Sequence, residues 1–161
     1  FLELTQSKII SNASALQIKE LKRLFSEVQK RNLGLNTFSF PDKLFEQMNE
    51  IDLWEFIVLT LKEKPNKILG VMFCYSNQKA VYVPSFVGMD YDLLESFSTY
   101  RQLLYRTIER AIALKLPKID FGMTASFEKR KLGAMVHEKY AYLQTNDNFI
   151  LEMIGVMEGQ H

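Results

Sequence analysis

The chain has 161 residues, enough for one domain that buries a core of its own. A hydrophobic fraction of 47% and a charged fraction of 24% are ordinary globular values. The net charge of +1 gives no electrostatic footprint for nucleic acid, so DNA is not an expected partner, and tRNA is left open without support from charge. One cysteine, Cys74, excludes an internal disulfide framework and a zinc cluster, and no metal is expected.

No apolar stretch reaches the roughly 18 residues that a membrane span needs. The opening Phe-Leu-Glu-Leu-Thr-Gln lacks the basic start and apolar core of a signal peptide. A reducing, cytoplasmic compartment is the simplest expectation. The start at Phe1 reads as a domain cut from a longer protein.

In chain order, Asn12 and Ser14 are cap residues for a helix with Ile18, Leu21, Leu24, Phe25 and Val28 on one face, closed by Asn32 and Gly34. Phe40-Pro41-Asp42 opens a second helix carrying Leu44, Phe45 and Met48. From Leu53 the texture is that of a strand, through Trp54 to Leu61, followed by the turn Lys64-Pro65-Asn66-Lys67. Ile68 to Tyr75 is a second strand, ending in Ser76-Asn77-Gln78-Lys79, and Ala80 to Val83 is a third. Short links make these an antiparallel meander.

Tyr100, Leu103, Leu104, Thr107, Ile108, Ala111 and Ile112 then follow a helical stripe, with Arg101, Gln102, Arg106, Glu109 and Arg110 on the other face. Pro117 stops that helix, and Lys118 to Gly122 reads as a short buried strand. Strand, helix, strand from Lys79 to Gly122 predicts a crossover and a parallel pair. A short helix over Ser126 to Leu132 and a hairpin of Glu138 to Gln144 with Asn148 to Val156 complete the order.

The expected fold is therefore α+β, an α/β sandwich in one domain over 1–161. It divides into N-terminal helices over 1–50 and antiparallel strands over 51–88. The crossover helix and parallel strand take 96–122, the short helix and hairpin 126–157.

This order, with Tyr100 through Ala111, Ile119-Asp120-Phe121-Gly122 and Lys131-Leu132-Gly133-Ala134, resembles the GNAT acyltransferase superfamily over Leu16 to Val156. It is most similar to the FemAB-like branch, whose strand ends in aspartate, phenylalanine and glycine. The resemblance implies acyl or aminoacyl transfer from a thioester or aminoacyl-tRNA to an amine, with acetyl-CoA or another acyl-CoA as co-substrate. It also implies a strand like Ala80–Val83 splaying from one like Lys118–Phe121. Backbone N–H groups past the first strand then polarise the donor carbonyl. Pro84 has no N–H, so Ser85, Phe86 or Val87 would serve.

The sequence departs from the family at the phosphate loop. Met89-Asp90-Tyr91-Asp92-Leu93-Leu94-Glu95 carries three acids and no glycine, which would repel a pyrophosphate. Ser96, Ser98 and Thr99 at the start of the crossover helix, with Arg101, offer an anion site in its place, or simply a cap. Lys131 matches the branch's lysine and either holds an anion or is solvated.

Asp120 has two readings, a backbone acceptor at a strand end and an orienter of the substrate amine. The family's proton-donating tyrosine stands four residues before the glycine, where this chain has Lys129. Tyr140, and behind it Tyr142, is the remaining candidate donor, or else a packing residue. His137 has no partner in its motif, and Cys74 reads as core.

Two further readings stand beside the transferase. One is a non-catalytic GNAT-like module docked on other domains of a longer chain, with its cleft plugged by Phe86 or Tyr91. The other is an unrelated α+β interaction domain, whose two parallel strands would pair throughout. A C-terminal strand such as Phe149–Met153 is a candidate edge for a dimer.

Overall fold

The structure, a computed structural model, describes residues 3–31, 39–78 and 80–140. The chain forms β1 (Thr5–Ile10), α1 (Ala15–Arg31), α2 (Asp42–Glu50), β2 (Trp54–Leu61), β3 (Ile68–Asn77) and β4 (Val81–Met89). Then follow α3 (Leu94–Phe97), α4 (Thr99–Ala113), β5 (Lys118–Ile119) and α5 (Ser126–Arg130). The five strands lie in the order β1-β2-β3-β4-β5; the first four are antiparallel neighbours and β5 runs parallel to β4.

Two apolar layers sandwich the sheet. On one face Leu21, Leu24 and Phe25 of α1 and Phe45 and Met48 of α2 cover Phe56, Val58, Val71 and Phe73. On the other, Leu103, Leu104 and Ala111 of α4 cover Ile57, Leu59, Met72, Cys74 and Tyr82. Strand residues alternate between these layers, which is why the central strands read as continuous apolar runs. Cys74 is core, and burial pushes its thiol up to about 12.

Ser14 and Gln17 open α1 with a reciprocal cap. The Gln17 N–H donates to Ser14 Oγ (3.3 Å) and the Ser14 N–H to Gln17 Oε1 (2.9 Å). Two glycines let the helices lie flat on the sheet. A Cβ on Gly88 would sit 2.6 Å from the Phe25 nitrogen in α1, and one on Gly70 would sit 2.8 Å from Thr99 Cγ2 in α4.

The structure corrects the sequence expectations in several places, and the buried strand expected over Lys118 to Gly122 is a strand only over Lys118–Ile119, with Lys118 exposed. The segment 1–50 is not helical throughout, because β1 adds an edge strand to β2. Its Thr-Gln-Ser-Lys-Ile-Ile exposes all but its two ends, so no alternating apolar signal marks it. The third strand does not stop at Val83 but continues to Met89.

On α4 the stripe is rotated. Gln102 is buried and Ile112 is 70% exposed, because the Gln102 amide accepts from Thr5 Oγ1 and donates to the Phe97 carbonyl. Finally, Glu138 to Tyr140 carry no strand; the rest of the expected hairpin, Phe149–Met153 and Tyr142 included, lies outside the described residues. Asn32, Gly34 and Lys79 fall outside them as well. Among the described residues no helix is long and apolar enough to cross a membrane.

Candidate functional site

β4 and β5 pair over only two positions, Val81 with Lys118 and Tyr82 with Ile119. One more bond, from the Asp120 N–H to the Tyr82 carbonyl (3.0 Å), ends the contact. β4 then runs seven residues further to Met89, while the other chain turns away. Among the described residues nothing pairs with this outer edge, so the two strands leave a gap between them. Strands that paired throughout, as an unrelated interaction domain requires, are not found.

The main-chain groups facing the gap follow from alternation. Tyr82 faces β5, so Pro84 also faces outward, where its missing N–H removes no ladder bond. The register of β4 against β3 slips between Pro84 and Phe86, leaving Ser85 as the extra residue of a bulge. The side chains record the slip. Tyr82 and Val87 lie in the α4 layer, whereas Phe86 lies in the α1 layer, where its ring meets Phe25, Phe40 and Trp54.

Beyond the bulge the Asp90 N–H donates to the Leu69 carbonyl of β3 (2.9 Å). By alternation Phe86 and Gly88 also face β3, and Val87 and Met89 turn their N–H groups to the gap. Of the three amides expected from the sequence, Phe86 is therefore engaged in the ladder. The Val87 N–H turns outward, and Ser85 is exposed in the bulge. Met89 is an open-edge amide that the sequence did not single out, because the bulge that sets the alternation has no side-chain signature.

Tyr91 lies beneath the Arg31 guanidinium, 3.9 Å from its ring centroid, and Phe86 is fixed in the aromatic layer. The Phe86 ring is thus held in the α1 layer.

The acidic loop is less repulsive than its sequence implies. Asp90 is buried, with Lys67 Nζ 2.5 Å from Oδ2 and the Asp92 N–H 3.2 Å from Oδ1. Asp92 and Glu95 remain in solvent. Ser98 precedes α4 in a left-handed conformation (φ 48°) without a side-chain cap bond, so its hydroxyl does not serve the expected capping role. Ser96 is exposed. Thr99 is fully buried against Gly70, which withdraws its side chain from any ligand and leaves Oγ1 without a partner. What remains available is the first turn of α4, whose leading N–H groups have no intrahelical acceptor.

Arg101 and Lys131, far apart in sequence, meet at Glu128. Arg101 Nη2 lies 3.0 Å and Lys131 Nζ 2.8 Å from its carboxylate. Lys131 first and Arg101 second hold the Glu128 carboxyl below the usual carboxylate range. Burial pushes the nearby Tyr100 phenol up, reinforced by the Glu128 charge.

Asp120 is exposed, and its Oδ1 accepts from the Gly122 N–H (2.9 Å), the strand-end backbone role expected of it. Tyr140 stands 79% exposed and donates to Glu138 two residues away, so nothing in its contacts brings it to the gap. Lys129, at the position of the family's tyrosine, is buried. Its Nζ donates to the carbonyls of Phe121 (2.7 Å) and Met123 (2.8 Å).

At the closed end of the sheet, Arg110 grips Glu55 through Nε (2.9 Å) and Nη2 (2.6 Å), and the Tyr82 hydroxyl donates to Glu55 at 2.5 Å. A cleft of about 440 Å³ opens there beside Ser11 and Trp54, and a second of about 480 Å³ lies along α1 and α2.

No curated protein sequence matches the chain. The model of the acetyltransferase (GNAT) domain matches residues 8–130. An aminoglycoside acetyltransferase from an uncultured soil metagenomic sample, solved with sisomicin, is similar in fold. Its TM-score is 0.64 at 13% identity, covering 89% of this chain and 97% of that one. Aminoglycoside N-acetyltransferase AAC(6')-Iy, solved with CoA, gives 0.58 at 9% identity, with 89% and 97% covered. Glucosamine-6-phosphate N-acetyltransferase from Arabidopsis thaliana gives 0.54 at 13% identity, with 88% and 99% covered. With a parallel pair that parts at the edge of its described sheet and a family model spanning most of its length, the chain belongs to the GNAT acetyltransferase family, which transfers acyl groups to amines.

Proposed function

We propose that the chain is an N-acetyltransferase that takes acetyl-CoA, or another acyl-CoA, as donor and a small-molecule amine as acceptor. One observation carries the reading: β4 continues past its last bond to β5 with the Val87 and Met89 amides facing an open gap. A thioester carbonyl accepting from such an amide becomes more electrophilic, and the oxyanion that forms on attack is held by a donor already in place. The donor's phosphates fit the first turn of α4, where the dipole and free N–H groups favour anions and Arg101 and Lys131 lie close by.

The protein's contribution is mainly positioning and carbonyl polarisation. Asp120, exposed where the strands part, is the group available to orient the incoming amine. No side chain is assigned to proton transfer. Lys129 is tied to two carbonyls, and Tyr140 lies in solvent. The aminoglycoside and aminosugar enzymes of the same fold support a polar amine acceptor. A second reading, a FemAB-like enzyme using aminoacyl-tRNA, is favoured by the exposed Asp92 and Glu95 before α4 and the lack of glycine there.

Calorimetric titration with acetyl-CoA tests the first reading. Saturable binding is expected, weakened about tenfold or more in Val87→Pro, which deletes an outward N–H without removing a ladder bond. Absence of binding by the wild-type chain contradicts it.

A further inference from the structure

The corner that follows β5 is held by an enclosed ammonium. After Asp120 makes the last bond to β4, the backbone passes through three left-handed residues, Gly122 (φ 66°), Thr124 (φ 64°) and Ala125 (φ 48°). Side-chain-bearing residues adopt this conformation at a cost in energy that other contacts must offset. Two contacts are present. Asp120 Oδ1 takes the Gly122 N–H at 2.9 Å, and Lys129 Nζ, reaching back from α5, takes the carbonyls of Phe121 (2.7 Å) and Met123 (2.8 Å).

Lys129 is 7% exposed while the corner it holds is largely in solvent, with Met123 73% exposed, so the two bonds tie a covered side chain to an otherwise open turn. α5 is in turn tied to the start of α4 through Glu128 and Arg101. The corner, α5 and the first turn of α4 are thus linked.

We infer that Lys129 is a positioning residue of the transfer cleft: held under the Phe121 and Met123 carbonyls, its ammonium fixes the corner at which β5 turns from β4 and so sets the width of the gap. The inference rests on the acyl-donor reading for its functional consequence, and on the described contacts for its structural one. A lysine that merely satisfies two carbonyls would change stability and leave donor affinity alone. A lysine that sets the gap changes donor affinity in protein that is still folded, and arginine, which keeps charge and donors, restores it.

The test uses the full chain as wild type, Lys129→Met and Lys129→Arg. Amide hydrogen exchange is followed over residues 119–125 without ligand, and acetyl-CoA binding is measured by calorimetry well below each melting temperature. In Lys129→Met, exchange over 119–125 is expected to rise about tenfold while β2 and β3 are unchanged, with donor binding weakened about tenfold. Lys129→Arg is expected to return both to within about threefold of wild type.

Unchanged exchange in Lys129→Met, or unchanged affinity with a loosened corner, overturns the inference. Should Lys129→Met not fold, Lys129→Gln, which keeps an amide donor with a shorter reach, carries the same comparison. Should the wild type bind no acetyl-CoA, the donor reading fails, and the exchange measurement alone decides whether Lys129 holds the corner.

Discussion

Lys129 illustrates how burial changes what a side chain offers. Desolvation pushes its amine below the ordinary lysine range, with Asp120 partly opposing the shift. Between that lowered value and the ordinary one of about 10.4, the unfolded chain holds more protons than the folded one. Stability relative to a chain lacking this group therefore rises with pH across that window. Denaturant unfolding of wild type and Lys129→Met at neutral pH and near pH ~10 is expected to show the difference moving in favour of wild type. Movement the other way contradicts the assignment.

At this scale the sequence was readable where a role depends on residue type. Pro84 was recognised as lacking a donor, and Asp120 as a backbone acceptor. Thr99 was not recognised as buried, because its exposure depends on the close approach of Gly70 from a strand distant in sequence, which no local pattern encodes.

Between elements, glycine decides how closely the layers approach. The backbone of α1 lies so near β4 at Gly88 that an added methyl would overlap it, with a main-chain nitrogen rather than a flexible side chain in the way. Gly88→Ala is expected to lower the unfolding free energy by about 1–3 kcal/mol, read from the denaturant midpoint, and to shift α1 outward. An unchanged midpoint contradicts this packing.

Helices were legible because their apolar positions recur with the helical period, and Ser14, named with Asn12 as a cap, does cap α1; its partner Gln17 was not singled out. β1 was not legible. It joins β2 through its backbone and buries little but Thr5, so its pairing leaves no pattern in side-chain type. The bulge at Ser85 was equally silent, and it alone decides that Val87 rather than Phe86 faces the gap.

Over the whole molecule, the sheet is clamped at one end and parted at the other. Arg110, Glu55 and Tyr82 bind α4, β2 and β4 together where β5 is paired; Lys129 and Asp120 turn the chain away where it is not. Burial with this network raises the Tyr82 phenol well above its ordinary range, so it acts as a hydrogen-bond donor and not as a titrating group. Apart from β1 and the short α3, the order of the described elements was readable from the sequence and with it the family, since a crossover between neighbouring parallel strands follows from element lengths. Which amides of β4 turn outward was only partly readable, Val87 being among those named and Met89 not, because the direction of a main-chain group depends on register.

The most direct test of the account is a map of backbone amide chemical shifts as acetyl-CoA is added. The largest changes are expected at Val87, Met89 and the first turn of α4 from Thr99 to Arg101. Changes confined to the closed end around Ser76 and Tyr82, or none at all, would contradict the claim that the parted strands form the donor site.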